Sequence, residues 1–471
     1  RISCFNMATR IFFAMYLFGT IEGIAISSCL NEYPPTKQGY VESLKRILEL
    51  KSENRLLEEQ NLTHDDDIQI CSKGTQRPQL EGDTYTFQKV TERNVLVFSG
   101  FHESRSNAGG PAVRVLSLGH QRDYKEVGAL WCTLWYYDRK YGVSVGPAEY
   151  DVIFPSRLHH EMWCEHFIIC PLPKNISDIP YAVSVTDKPC AKPENNVYIT
   201  NRGVVNKKGK FAVCYPSIYG KFRDWRMLVE FFEFQRLLGA EEITIYKYSV
   251  TNETDKTLNY FHKQGWVNVI PWPYPGLPTH TFFQRAAVND CIYRNMQKYD
   301  YVAVHDLDEV LMPRAFDNWP QLFENVDTLN IENHDYGAFY FQHLYFRRNN
   351  TSSSVEHNHI SNSKESMITS SSFYRTDVVT PAGKVRCKTM YKTDKVLKAD
   401  LHFQYNLVPG SKEYLLDPEI GALHHYRISP MEHFHKYPER YNFIEDRYAE
   451  TFSQKLIKVY EKHIEMLHEI L

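Results

Sequence analysis

Between Phe211 and Asp308 the hydrophobic pattern changes period several times, and turn residues stand at the changes. The run FAVCYPS (211–217) is short and apolar, as a buried strand is. Residues 225–238, WRMLVEFFEFQRLL, put apolar side chains on one helical face, and Gly239 occupies the position where a left-handed residue closes a helix. The strand-like EEITIYKYSV (241–250) comes next, then an amphipathic helix over 254–264 ended by Gly265, then WVNVIPW (266–272). After a proline-rich loop the pattern predicts a helix over 282–298 and a strand, YDYVAVHD, over 299–306. Strands alternating with helices of this kind form βαβ units and a parallel sheet. The expected class is α/β.

The rest of the chain is arranged around this unit, which is read as residues 206–450. Residues 89–205 contain short β-like runs, NVLVFSGF (94–101), PAVRVLSLG (111–119) and ALWCTLWYY (129–137), separated by Gly, Pro and Asn; they predict a smaller β-rich module. Residues 31–88 are polar and read as a stem or linker. Residues 349–372, rich in Ser, Thr and Asn, read as a surface insertion. In 451–471, Phe452, Leu456, Tyr460, Ile464 and Leu467 share one helical face and predict a helix packed on the core.

The first 30 residues bear on compartment. Arg10 precedes Ile11–Leu30, a 20-residue stretch whose only charge is Glu22. That length suffices for one membrane span, a signal anchor with its N-terminus cytoplasmic. A cleaved signal peptide, with Ala25 and Ser27 before the cut, is the competing reading. Both place the rest of the chain in an oxidising lumen, where Cys71, Cys132, Cys164, Cys170, Cys190, Cys214, Cys291 and Cys387 permit four disulfides, Cys164 being expected in one. Sequons at Asn61, Asn175, Asn252, Asn349 and Asn350 agree with that compartment. A net charge of −3 over 471 residues lacks the basic footprint of a nucleic-acid binder. No CxxC pair, GxSxG elbow, P-loop or GxGxxG is present, which disfavours zinc ribbons, lipase-type hydrolysis, phosphate-loop transfer and dinucleotide chemistry. His159, His160 and Glu161, with Cys164, Glu165 and His166, look metal-like but lack the second His of HExxH.

The chemistry concentrates in Tyr301–Arg314, YVAVHDLDEVLMPR. Tyr301-Val302-Ala303-Val304 suits a central parallel strand buried on both faces. Asp306 and Asp308 stand at its carboxyl end, where open α/β sheets bind ligands. If that backbone is extended, residues two apart point to one side, and the two carboxylates converge on a hard divalent cation such as Mg²⁺ or Mn²⁺.

These stretches resemble glycosyltransferase family 92, formerly a domain of unknown function (23). The resemblance rests on FAVCYPSIYG, WRMLVEFFEFQRLLGAEEITIYKYSV, GWVNVIPWPYP, FFQRAAVNDCIYR and YDYVAVHDLDEVLMPR in order. GKVRCKTMYKTDKVLKADLHF (383–403) and ALHHYRI (422–428) continue it. It implies a GT-A-like, mostly parallel central sheet flanked by helices. The implied activity is inverting transfer of a hexose, most often galactose from UDP-galactose, to a glycan acceptor, with Mn²⁺ or another divalent cation, in the Golgi. Asp306 and Asp308 match the family's D-x-D and would bridge the metal to the UDP diphosphate. A later His would complete the metal shell, His402 or alternatively His425. Lys388 and Arg427 match donor-binding motifs, and Gln284, Asn289 and Asp290 match the helix before the metal strand. Inversion needs a carboxylate base, left here between Glu309 and Asp335. Two other classes stay open: an inactive glycan-binding protein on the same fold, and a luminal metal-dependent hydrolase.

Overall fold

The computed structural model describes Ile68–Leu471 apart from short stretches, the longest being 154–162, 349–366 and 428–441. The expected signal anchor or signal peptide (1–30), residues 31–67 of the expected stem, His159–Glu161 and most of the 349–372 insertion lie outside the described residues. Among those described, no helix is long and apolar enough to cross a membrane.

Ten strands come first: β1 (Ile68–Ile70), β2 (Gln88–Lys89), β3 (Val95–Glu103), β4 (Ala112–His120), β5 (Trp131–Trp135), β6 (Val143–Val145), β7 (Glu149–Val152), β8 (Trp163–Pro171), β9 (Ala182–Thr186) and β10 (Val197–Tyr198). They form two five-stranded antiparallel sheets, ordered β1-β6-β5-β9-β10 and β2-β3-β4-β8-β7. The long strands of the second sheet are buried along nearly their whole length. One face, with Val97, Val113, Val115 and Ile168, packs on the first sheet. The other, with Phe98, Phe101, Leu116, Leu118 and Phe167, shares a core with the α/β part. Apolar residues on both faces are what a sheet covered on both sides requires.

The α/β part runs β11 (Gly209–Ile218), α1 (Trp225–Leu238), β12 (Glu242–Lys247), α2 (Asn252–Lys263), β13 (Val267–Pro271), α3 (Gln284–Asn295), β14 (Tyr299–Val304), β15 (Glu309–Met312) and α4 (Trp319–Thr328). It continues through β16 (Tyr336–Arg347), β17 (Tyr374–Thr376), β18 (Lys388–Lys392), β19 (Val396–Lys398), β20 (Asn406–Leu407), β21 (Lys412–Leu415), β22 (Ala422–Arg427), β23 (Phe443–Glu445) and α5 (Ser453–Ile470). Strands β13-β12-β11-β14 are parallel, because each is reached through a helical crossover. The sheet as a whole departs from the mostly parallel one that the resemblance implies. β18 enters antiparallel between β14 and β16, and the eleven-stranded sheet is mixed.

Side-chain alternation divides the core. Phe211, Val213 and Tyr215 of β11, with Tyr301 and Ala303 of β14, face a cluster that includes α1, α2 and α5. Ala212, Cys214, Val302 and Val304 face α3 and the second β-sheet. Helix α1 begins where Asp224 accepts a hydrogen bond from the Met227 N–H at 3.2 Å. It ends at Gly239, whose φ of 115° is left-handed and whose missing Cβ would meet Pro320 at 2.8 Å. Leu456, Tyr460, Ile464 and Leu467 of α5 are buried on this core.

Among the described residues three disulfides join Cys71–Cys190, Cys132–Cys170 and Cys214–Cys291. The second ties the two β-sheets together, and the third pins α3 to β11. Cys164 is not in a disulfide: it is buried, with Sγ 3.4 Å from His166 Nε2. Cys387 is likewise buried outside the three. The far end of the 349–372 insertion is not surface loop either. Ile368 and Thr369 are buried, and their N–H groups donate to the Glu230 carboxylate at 2.9 and 2.7 Å.

One buried polar network holds α3 against both neighbours. Asp290 is fully enclosed; it accepts from Arg294 Nε at 2.5 Å and Tyr246 Oη at 2.5 Å, and also from Ser99 Oγ. Arg294 also pairs with Asp83. Removing one member of a buried pair strands the other's charge. Asp290→Ala is therefore expected to cost about 3–5 kcal/mol in urea unfolding; a cost below about 1 kcal/mol would contradict this role.

Candidate functional site

β14 stops at Val304, two residues short of Asp306, and His305–Asp308 make a turn. The turn is closed by the Glu309 N–H donating to Asp306 O at 3.2 Å. The alternation of an extended strand does not apply there. The carboxylates of Asp306 and Asp308 enter two different contacts.

Asp306 Oδ2 lies 2.8 Å from Lys388 Nζ. The same ammonium lies 3.1 Å from Glu309 Oε2, and its side chain is only 1% exposed. Glu309 Oε2 also accepts the Asp306 N–H at 2.8 Å. Asp308 Oδ2 instead faces His425 Nε2 at 3.3 Å, while His425 Nδ1 lies 3.4 Å from Glu309 Oε1 and 2.9 Å from His343 Nε2. The register explains the meeting. β22 is flanked by β15, opposing Glu309 to His425, and by β16, opposing Tyr345 to His425. Lys388 starts β18, antiparallel to β14, and so arrives at the carboxyl end of β14.

The charges shape one another. Partial burial pulls the Asp306 carboxyl up, but the Lys388 ammonium outweighs it and holds the group at about 2. Burial raises Glu309 despite Lys388. Burial also opposes the charge on Lys388, and Asp306 and Glu309 overcome it and raise the ammonium. His425 is pulled down by burial and more strongly up by Glu309 and Asp308. His402 is lowered to about 4 by burial and by Lys388, and its buried Nδ1 has no hydrogen-bond partner. His305, enclosed beside Tyr215, is lowered to about 4, chiefly by burial.

A cavity of about 220 Å³ opens beside this turn, lined by Tyr215, Ser217, Tyr219, Phe222, Gln284 and Asp306 among others. Gln284 thus borders the cavity, its Nε2 donating to Ser217 O at 3.4 Å. Tyr219, on the cavity wall, packs against Phe282 with ring centroids 4.3 Å apart and planes tilted by 31°.

Other expected site residues stand elsewhere. Asn289 is fully buried and clamps Ala399, donating to its carbonyl at 2.8 Å and accepting its N–H at 2.9 Å. Asp290 belongs to the network that secures α3. Both are turned into the core by the helix face they occupy, so neither is offered to a donor. Lys388 is consumed by two carboxylates rather than presented to a ligand. Arg427 ends β22 exposed, two residues beyond His425. Glu309 is enclosed between Lys388 and His425 and is 2% exposed. Asp335 precedes β16 at its far end, where it pairs with Lys395 at 2.6 Å; the antiparallel course of β16 against β18 carries it away from the site. His343 is absent from the residues that the sequence singles out. Nothing in its local pattern, FQHLYF, distinguishes it from a core residue of a strand.

Among the described residues no group of three or more His, Cys, Asp or Glu side chains has the geometry of a closed metal site. Asp308 and His425 fit an open site: one carboxylate oxygen and one imidazole nitrogen 3.3 Å apart, a donor pair that would suit Mn²⁺ if phosphate and water completed the shell. Asp306 does not fit as well, since one oxygen already holds an ammonium.

A family model, that of glycosyltransferase family 92, matches residues 209–469. The beta-1,4-galactosyltransferase galt-1 of Caenorhabditis elegans is 27% identical over 160 residues, 33% of this chain and 35% of that protein. A family 92 protein of the same nematode is 30% identical over 96 residues, 18% of this chain and 19% of that one. The chain thus aligns with about a third or less of these relatives' own length. A solved structure, the apo form of the bifunctional glycosyltransferase WbbM, covers 32% of this chain and 27% of that one at 10% identity and a TM-score of 0.18, too low to carry an argument.

The Lys388 contacts make a testable claim. In Lys388→Met, Asp306 and Glu309 face each other without a counter-charge, so both carboxyls bind protons more tightly in the folded state. A raised folded-state pKa favours folding at low pH and opposes it as pH rises. The variant should lose about 3 kcal/mol at about pH 8 and less at about pH 5, read by urea unfolding. A pH-independent loss would contradict the pairing.

Proposed function

The chain belongs to glycosyltransferase family 92, and from that premise we propose that it transfers a hexose, galactose from UDP-galactose, to a glycan acceptor with inversion, assisted by a divalent cation. The observation that carries this reading is the pairing of Asp308 with His425 in the turn whose Asp306 and Leu307 line the 220 Å³ cavity, at the carboxyl end of β14. Ligands of open α/β sheets enter at that edge. The match to a protein named a beta-1,4-galactosyltransferase supports galactose over other hexoses. The parallel strands β13-β12-β11-β14 support a GT-A-like reading of this half of the sheet. Sequons and three disulfides favour the Golgi lumen as the setting.

Each residue then has a distinct task. Asp306, held through Oδ2 by Lys388, offers its other oxygen to a donor hydroxyl at the cavity wall. Tyr219 presents its ring to the cavity with Phe282 packed against it, and Gln284 supplies an amide. Asp308 and His425 would hold the cation; a bound divalent ion offsets charge that builds on the departing diphosphate. Arg427, exposed at the end of β22, adds a fixed cation on the same edge.

Turnover of UDP-galactose separates this reading from its alternatives. EDTA should abolish transfer and Mn²⁺ restore it, and Asp308→Asn should lower kcat/KM at least about a hundredfold. Transfer that survives both would contradict the metal-assisted reading. Binding of glycan with no turnover of any UDP-sugar would favour an inactive glycan-binding protein.

A further inference from the structure

The two ring nitrogens of His425 have different surroundings. Nε2 faces Asp308, where the proposed cation would sit. Nδ1 faces inward, 2.9 Å from His343 Nε2 and 3.4 Å from Glu309 Oε1. His343 is 1% exposed and Glu309 2% exposed. A neutral imidazole carries one N–H and one lone pair, and a metal ligand must present the lone pair. For Nε2 to be that lone pair, Nδ1 must hold the hydrogen, and a buried N–H needs an acceptor.

Two acceptors are present, and distance ranks them. Glu309 is farther away, and its other oxygen is already shared between Lys388 and the Asp306 N–H. His343 is within ordinary hydrogen-bond length. It also reaches His425 from β16, a strand paired with β22 over six residues, so the approach is fixed by a ladder rather than by a loop.

We propose that His343 is a positioning residue whose Nε2 accepts the Nδ1 hydrogen of His425 and thereby turns the His425 Nε2 lone pair toward Asp308 and a divalent cation. The inference rests on the metal-dependent reading above. Glu309 acts as the second acceptor. His343 itself touches neither cation nor substrate. Partners of this kind fix the tautomer of a ligating histidine and raise its basicity, and losing one typically costs about 10–100-fold in metal affinity.

The test is Mn²⁺ binding to the full chain in the presence of UDP, followed by electron paramagnetic resonance. His343→Phe keeps a flat ring and removes the acceptor; His343→Gln removes the ring and keeps an acceptor oxygen. The expected result is Mn²⁺ affinity about 10–100-fold weaker in His343→Phe and largely recovered in His343→Gln. Unchanged affinity in His343→Phe, or equal loss in both variants, overturns the inference. Wild-type protein that binds no Mn²⁺ with UDP overturns the metal reading itself, a different result. Should His343→Phe fail to fold, ¹⁵N chemical shifts of His425 in the wild type decide the matter. With the ring neutral, at alkaline pH, a proton on Nδ1 alone supports the proposal and a proton on Nε2 overturns it.

Discussion

The ammonium of Lys388 is the interaction on which the site depends. It sits 2.8 Å from Asp306 and 3.1 Å from Glu309 and is almost wholly enclosed. Three carboxylates within four consecutive residues would repel one another on a buried sheet edge. One internal cation lets two of them stay close, and the arrangement leaves Asp308 to a different partner. The division of labour comes from charge balance: Asp306 and Glu309 belong to Lys388, and Asp308 belongs to His425.

The mixed sheet makes that balance possible. A purely parallel sheet would bring only strand ends and loops to its carboxyl edge. Here β18 enters antiparallel beside β14 and delivers Lys388 at its first residue. β22 runs between β15 and β16, so Glu309, His425 and His343 meet across paired strands. The second β-sheet and α3 brace the region from behind through one shared apolar core and the Asp290–Arg294 network. The β-rich strands therefore support the fold of the α/β half and share its core.

Much of the local structure was legible in the residues. Helix α1 falls where the apolar face of 225–238 and Gly239 place it. The βαβ order from β11 to β14 can be read from changes of hydrophobic period. The features that the pattern did not reveal depend on contacts between distant segments. The end of β14 at Val304 turns on a local bond from Glu309 to Asp306, invisible to periodicity. Lys388 reads as a donor-binding residue, and its place between Asp306 and Glu309 shows only once β18 is known to lie beside β14. Asn289 and Asp290 lie next to each other on a helix whose periodicity is weak, and only the packed structure shows both facing inward. Cys164 counts toward an even set of cysteines, but its surroundings in β8 place it against His166 instead of another sulfur.

The central claim is that the divalent cation belongs to Asp308 and His425 while Asp306 stays with Lys388. Anomalous diffraction from crystals grown with Mn²⁺ and UDP measures this directly. The expected result is a Mn²⁺ peak bonded to Asp308 and to His425 Nε2, with Lys388 still between Asp306 and Glu309. A Mn²⁺ peak bonded to Asp306 and His402, with Lys388 displaced, would contradict it.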